Sequence, residues 1–196
     1  MAPRVPRTEL TGLTGSLIKR LSRRMFGRVP ESIGVVWNNP EVFKAGMSLG
    51  RKVQKWDRVD QSLKSFAHMA VAAQVGCSWC LDFNYFQAQN EELDLRKASQ
   101  VPRWRESEVF TPLERQVMEY AEAMTNTPPT VDDALSGRLL EALGAAALVE
   151  LNAVIGFANY TTRCNTALGI ESEGFSDACE VPLAVRPGRP GVASRP

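Results

Sequence analysis

The chain has 196 residues, 44% of them hydrophobic and 23% charged, the length and balance of one soluble domain with a single core. A formal net charge of +1 excludes the strong overall field expected of a nucleic-acid binder, and no nucleic-acid partner is expected. No run approaches the roughly 18 apolar residues of a membrane span, and the N-terminus lacks the apolar centre of a secretory signal, so a cytoplasmic protein with no membrane partner is expected.

Periodicity along the chain is helical, and no run alternates in the manner of a strand. Residues 1–35 read as a basic N-terminal arm and helix. Arg4, Arg7, Lys19, Arg20, Arg23, Arg24 and Arg28 crowd its start, with Glu9 the only acid among them. A solvated helix face is the preferred reading of that charge. A helix is expected over 9–27, with Leu10, Leu13, Leu17, Leu21 and Met25 along one side. The Pro and Arg residues ahead of it are expected to be disordered. Asn39-Pro40 then gives a start signal for a helix over 41–55 carrying Val42, Phe43, Met47 and Leu49. The next helix, over 58–75, runs through Leu63, Phe66, Ala67, Ala70, Val71 and Ala73 and is interrupted at Gly76. A new helix is expected from Cys77 to about Asn90, and a shorter one near 91–100.

In the second half, Thr111-Pro-Leu-Glu114 is a capping box with proline at the first helical position. Leu113, Val117, Tyr120, Ala121 and Met124 form the apolar stripe of the helix it opens. Thr127-Pro-Pro-Thr130 ends that helix, and Thr130 with Asp133 is read as the start of the next, whose inward face is Leu135, Leu139, Leu140 and Leu143. From Ala145 to about Leu168 the chain is almost apolar all round, which predicts a central helix or one at a subunit interface. Residues 36–180 make one helical domain on this reading. Residues 181–196 are assigned as a disordered tail, with proline and glycine concentrated from 186 onward.

Four cysteines are too few for a disulfide scaffold, which turns attention to the close pair in Cys77-Ser-Trp-Cys80. Cysteines three apart on a helix share a face and lie close enough to bridge or to share a metal. Gly76 places the pair at a helix start, where unpaired backbone N–H groups and the macrodipole favour thiolate. The expected cycle is oxidation to sulfenic acid, condensation with the neighbouring thiol, and reduction by an external dithiol. A structural zinc site needs four ligands, and the rest of the chain offers Cys164, Cys179 and the single histidine His68 with no second CxxC. No metal or cofactor is therefore expected, and a redox pair is preferred to passive cysteines. Trp79 shields the pair or fills a core pocket, and core filling is the preferred role.

The stretch Ala70-Val-Ala-Ala-Gln-Val-Gly-Cys-Ser-Trp-Cys-Leu-Asp-Phe-Asn84 resembles the signature of the carboxymuconolactone decarboxylase and alkylhydroperoxidase D-like family. The runs Thr111-Pro-Leu-Glu-Arg115, Ala121-Glu-Ala-Met-Thr125, Leu148-Val-Glu-Leu151 and Asn159-Tyr-Thr-Thr-Arg163 extend the likeness over roughly residues 36–170. The resemblance implies an all-α, single-domain helical bundle that assembles as a homotrimer or homohexamer. It also implies a peroxidase-like thiol activity on a peroxide or other small molecule, recycled by an external dithiol reductant. Members with peroxidase activity carry a glutamate twelve residues before the first cysteine and a histidine four after the second. Ser65 and Asn84 occupy those positions here, and neither is a general base near neutral pH. This motivates the alternative of a redox-responsive structural or ligand-binding member without efficient peroxidase turnover. The lactone decarboxylase activity in the family's name is set aside, since no histidine or arginine constellation suits a dianionic lactone.

Other groups bear on the proton step and on partners. His68 lies nine residues before Cys77 and one helical turn beyond Ser65, which puts it on nearly the same face with a suitable intrinsic pKa. Asp82 is read as serving the helix dipole. Glu150 and Arg163 are expected to bond across a subunit interface, Cys164 to be a small buried hydrophobe, and Cys179 to be a free surface thiol. The helix terminus favours Cys77 as the more acidic thiol, whereas the resemblance gives the peroxide to Cys80. The choice between them stays open at this level.

Overall fold

A computed structural model describes residues 2–91, 93–178 and 181–184. Nine α-helices follow one another among these residues, and no strand occurs. They are α1 (Gly12–Phe26), α2 (Glu31–Val36), α3 (Pro40–Gln54), α4 (Gln61–Val75), α5 (Ser78–Asn90), α6 (Leu95–Gln100), α7 (Pro112–Thr125), α8 (Asp133–Leu143) and α9 (Ala145–Leu168). Short 3₁₀ turns follow α6 at Val101–Arg103 and α9 at Phe175–Ala178.

Capping chemistry sets several of these boundaries. The Asp60 carboxylate accepts the Ser62 N–H to open α4, and the Thr111–Glu114 capping box opens α7 with both of its reciprocal bonds made. The start of α8 is corrected by one cap: the Asp132 carboxylate accepts from Leu135 N at 2.7 Å, the role that the sequence assigns to Thr130. The short α2 goes beyond the sequence expectations, because six residues give too little periodicity to read.

The core centres on α4. Phe66, Ala67, Met69, Ala70, Val71 and Ala72 are all but inaccessible, and small alanines let α7 and α9 approach closely. Phe66 meets Phe110 edge to face at 5.8 Å, and Val117, Met118, Leu139, Leu151 and Ile155 complete the same cluster. Thus α4, not α9, is the central helix. In α9, Val149 and Tyr160 remain exposed at 70% and 46%. Leu140 of α8, expected inside, is also exposed.

The long helix α9 runs alongside α4 in the same direction. Glu150 near its start accepts the N–H groups of Arg58 and Val59 at 3.0 and 3.1 Å, Phe157 packs on His68, and Asn165 reaches Cys80. Glu150 and Arg163 both find hydrogen-bond partners within the chain. Arg163 donates to the Thr125 carbonyl at 2.5 Å and to the Asn159 side chain at 3.2 Å.

The residues ahead of α1 are tied down rather than disordered. Arg4 donates its backbone N–H to Leu168 O at 2.8 Å and its guanidinium to the carbonyls of Thr166 and Ala167 at 2.9 and 2.6 Å. A cation on the last carbonyls of a helix is placed where both the orphan acceptors and the dipole favour it. The apolar stripe of α1 faces outward, with Leu13, Leu17, Leu21 and Met25 exposed, while Gly15 and Ser22 face the protein. Residues 181–184 of the expected tail are held as well: Tyr85 donates to Val181 O at 2.5 Å and Ala184 N donates to Ser99 O at 2.9 Å. Residues 185–196 and Cys179 lie outside the described residues.

Candidate active site around the Cys77–Cys80 bridge

A sharp turn between α4 and α5 builds the site. Gly76 takes φ of 83°, a conformation that side chains disfavour, and the N–H groups of Gly76 and Cys77 both donate to the Ala72 carbonyl, at 2.9 and 3.0 Å. The chain thereby reverses within two residues, and Cys77 lands at the N-cap of α5. In that position its Sγ accepts the backbone N–H of Cys80 at 3.2 Å, taking the role a serine or aspartate oxygen usually fills. The two cysteines are joined as a disulfide, with Cα atoms 5.3 Å apart.

Both cysteines are buried, Cys77 at 2% and Cys80 at 1% exposure, against Ala72 with Trp79 and Leu81 alongside. From α9, the Asn165 side chain donates from Nδ2 to Cys80 Sγ at 3.4 Å. Each sulfur therefore carries an N–H donor, and the positive end of α5 adds to both. An arrangement of this kind stabilises sulfur that acquires negative charge.

The first turn of α5 is covered by the segment that follows α9, and Asp82 holds that cover. Its carboxylate, 4% exposed at the residue level, accepts the backbone N–H groups of Glu173, Phe175 and Ser176 and the hydroxyls of Ser172 and Ser176, at 2.6 to 3.2 Å. Ser78 Oγ accepts from Ser172 N at 3.1 Å. Glu173 then accepts from Trp79 Nε1 at 3.2 Å and from Glu31 N at 2.9 Å, and its carboxylate pairs with Arg28 at 3.6 Å. Asp82 is thus a loop anchor more than a dipole partner.

Trp79 sits in this cover and not in the central core. It is half-buried, stacks on Phe83 at 4.9 Å between ring centroids, and belongs to an aromatic cluster with Phe26, Phe86 and Phe175. An open groove of about 270 Å³ adjoins the cluster, lined by Met25, Phe26, Phe83, Phe86 and the polar Gln87, Asn90 and Glu91.

The remaining expected residues separate from the sulfurs to different degrees. Asn84 touches the site through the backbone, its amide donating to the Cys80 carbonyl at 2.6 Å. Ser65 is half-buried on α4, and no hydrogen bond of its hydroxyl is formed among the described residues. His68 packs edge-on against Phe157, with centroids 6.4 Å apart and an interplanar angle of 85°. Phe157 and Asn165 are eight residues apart on α9, a rise of about 12 Å, so the imidazole lies well back from the bridge and makes no hydrogen bond to it. Burial between α4 and α9 pushes its pKa down to about 4.

Cys164, expected to be buried, is an exposed free thiol. Among the described residues no group of three or more His, Cys, Asp or Glu side chains gathers in a way that could hold a metal. Asn165, Ser172, Glu173 and Ser176 join the site without having been expected there. Asn165 carries one signal in the sequence, a neutral amide in an almost wholly apolar helix, but an amide is not a proton carrier and the pattern of titratable residues does not point to it.

An all-helical bundle that presents a bridged CxxC pair at the start of a buried-core helix is the alkylhydroperoxidase type of fold. Comparison with known proteins agrees. Residues 40–123 match the model of the carboxymuconolactone decarboxylase family. The chain is 35% identical over 163 residues to the uncharacterized protein YnjA of Escherichia coli (strain K12), covering 83% of this chain and 88% of YnjA. A variant of the debrominase Bmp8 in complex with 2,3,4-tribromopyrrole superposes with a TM-score of 0.76 at 19% identity, covering 89% of this chain and 93% of that one. An alkylhydroperoxidase AhpD core protein, uncharacterized and peroxidase-related, from Ralstonia eutropha JMP134 gives a TM-score of 0.75 at 17% identity, with coverage of 91% and 98%. The chain belongs to the carboxymuconolactone decarboxylase, alkylhydroperoxidase D-like family.

Proposed function

We propose that this protein is a thiol-dependent oxidoreductase of peroxidase type, cycling Cys77 and Cys80 between dithiol and disulfide. The observation that carries the reading is the bridge itself, formed at the N-terminus of α5 with an N–H donor on each sulfur. In the oxidative half, one thiolate attacks a peroxide oxygen, the O–O bond breaks, and the departing alkoxide takes a proton from solvent. The resulting sulfenic acid is attacked by the second thiolate, which closes the disulfide and expels hydroxide, protonated to water. An external dithiol then reduces the bridge and leaves as its own disulfide. The reading includes a cytoplasmic setting, where such dithiols are kept reduced, and assembly of several copies, for which the outward apolar stripe of α1 and the open face of α9 are suited surfaces.

A second reading is favoured by one feature of the site. The amide of Asn84 is committed to the Cys80 carbonyl and His68 is held on Phe157, so among the described residues no side-chain base is hydrogen-bonded to either sulfur. A redox-responsive member with slow, stoichiometric oxidation needs no such base. Steady-state reduction of hydrogen peroxide and an organic hydroperoxide, with dithiothreitol as reductant, separates the readings. Turnover that Cys77→Ser and Cys80→Ser each abolish supports the peroxidase. Wild-type turnover no faster than the double variant rejects it.

A further inference from the structure

The two sulfurs of the bridge are held by donors of different kinds. Cys77 Sγ accepts the backbone N–H of Cys80 at 3.2 Å, a bond fixed by the turn that opens α5. Cys80 Sγ accepts from Asn165 Nδ2 at 3.4 Å, a side-chain bond delivered from α9 across 85 positions of sequence. Cys80 is 1% exposed, so solvent gives its sulfur little help. A bridged, neutral sulfur is a weak acceptor and a thiolate a strong one. The same amide therefore gains strength when the S–S bond breaks, which is the differential stabilisation that catalysis requires.

We propose that Asn165 is a catalytic residue of the thiol–disulfide cycle, stabilising the thiolate of Cys80, the sulfur to which the family resemblance already gives the peroxide. The inference rests on the redox reading of the pair given above. In the reductive half, a thiolate of the external dithiol attacks Cys77 Sγ, the S–S bond breaks, and its electron pair departs on Cys80 Sγ against the Asn165 amide. The second thiol of the reductant, its proton lost to solvent, attacks the mixed disulfide. Cys77 leaves as thiolate and takes a proton, and the reductant departs as a disulfide. In the oxidative half, the Cys80 thiolate attacks the peroxide and Cys77 closes the bridge.

The surroundings of Asn165 fit this role. It lies in the last turns of α9, whose negative end opposes an anion nearby, yet Arg4 sits on the carbonyls of Thr166, Ala167 and Leu168 at that end. Two charged groups near the first turn of α5 are engaged with protein partners. Asp82 holds the segment 172–176, and Glu173 takes Trp79 and pairs with Arg28. His68 faces Phe157 further back along α4.

The test isolates each thiol. In reduced Cys77→Ser protein, iodoacetamide alkylation of Cys80 is followed across pH by mass spectrometry of the peptide containing residues 77–80. Replacing Asn165 by Leu slows Cys80 alkylation at neutral pH about tenfold, the size expected for losing one charge-assisted hydrogen bond. In Cys80→Ser protein the same replacement changes Cys77 alkylation less than about twofold, because the Cys77 donor is backbone. Asn165→Asp, closer in shape, keeps the test open if the leucine variant does not fold, and it slows Cys80 further by adding an anion. Unchanged Cys80 rates, or equal slowing at both cysteines, overturn the proposal. These rates require no peroxide. Absent turnover with selective slowing at Cys80 therefore rejects the peroxidase reading and leaves the role of Asn165 standing.

Discussion

Asp82 on α5 and Ser176 beyond α9 are joined twice, by the Ser176 N–H at 2.7 Å and by its hydroxyl at 2.6 Å on the same carboxylate oxygen. The other oxygen takes Ser172, Glu173 and Phe175. One buried carboxylate thus fixes the segment that lies over the first turn of α5, and with it the access of solutes to the bridge. Asp82→Ala leaves one buried and four part-buried donors without this acceptor, a loss of about 2–4 kcal/mol of stability. Urea unfolding measures that loss. The freed segment also exposes the bridge, so reduction by dithiothreitol is faster in the variant than in wild type. A stability change below about 0.5 kcal/mol with unchanged reduction contradicts the anchoring role.

Glu150 performs a comparable task at the other end of α9. It accepts from the N–H groups of Arg58 and Val59, just ahead of the Asp60 cap of α4, and so sets where the central helix begins against its neighbour. Glu150→Ala is expected to cost about 2–3 kcal/mol, since a buried backbone N–H at Val59 loses its acceptor. Glu150→Gln, which keeps one carbonyl acceptor, is expected to cost less. Equal denaturation midpoints for alanine and glutamine variants would show that the bonds themselves contribute little.

The single histidine gives a pH signature of its own. His68 has its pKa held near 4 in the folded chain by burial, against 6.5 for an ordinary histidine. As pH falls below the ordinary value, the unfolded chain takes up a proton that the folded chain refuses. Stability therefore falls with pH between about 6.5 and about 4, and the slope ends once both states are protonated. Between about pH 7 and about pH 5, above the range where most carboxylates titrate, His68 contributes a loss of about 1–2 kcal/mol, allowing for its partial solvent access. His68→Gln flattens that part of the profile. A variant with the wild-type slope would place the titration elsewhere.

Much of this architecture is legible in the sequence, for local reasons. The capping box at Thr111, the glycine at 76, the spacing of apolar residues in α4 and α7, and the nearly unbroken apolar run of α9 mark helices by short-range chemistry alone. The Cys77–Cys80 pair is legible for the same reason, since three residues on a first helical turn settle its reach. What is not legible depends on contacts far apart in the chain. The apolar side of α1 points outward because Gly15 and Ser22 make the closer fit inward, which the periodicity of Leu13, Leu17 and Leu21 cannot show. Asn165 at Cys80, Arg4 at the end of α9 and Glu150 at Val59 each bridge more than 80 positions. His68 shares a face with Ser65, as spacing implies, yet the same spacing cannot reveal that Phe157 occupies that face.

Redox cycling of Cys77 and Cys80 is read from the sulfurs themselves. Reduced protein is mixed with substoichiometric peroxide in a rapid-quench apparatus, free thiols are alkylated, and the peptide spanning residues 77–80 is weighed. This peptide is expected to lose two hydrogens in step with the peroxide added, ahead of the exposed Cys164, and to regain them on addition of a dithiol. A peptide that stays fully alkylated at both cysteines while Cys164 is oxidised would contradict that cycling.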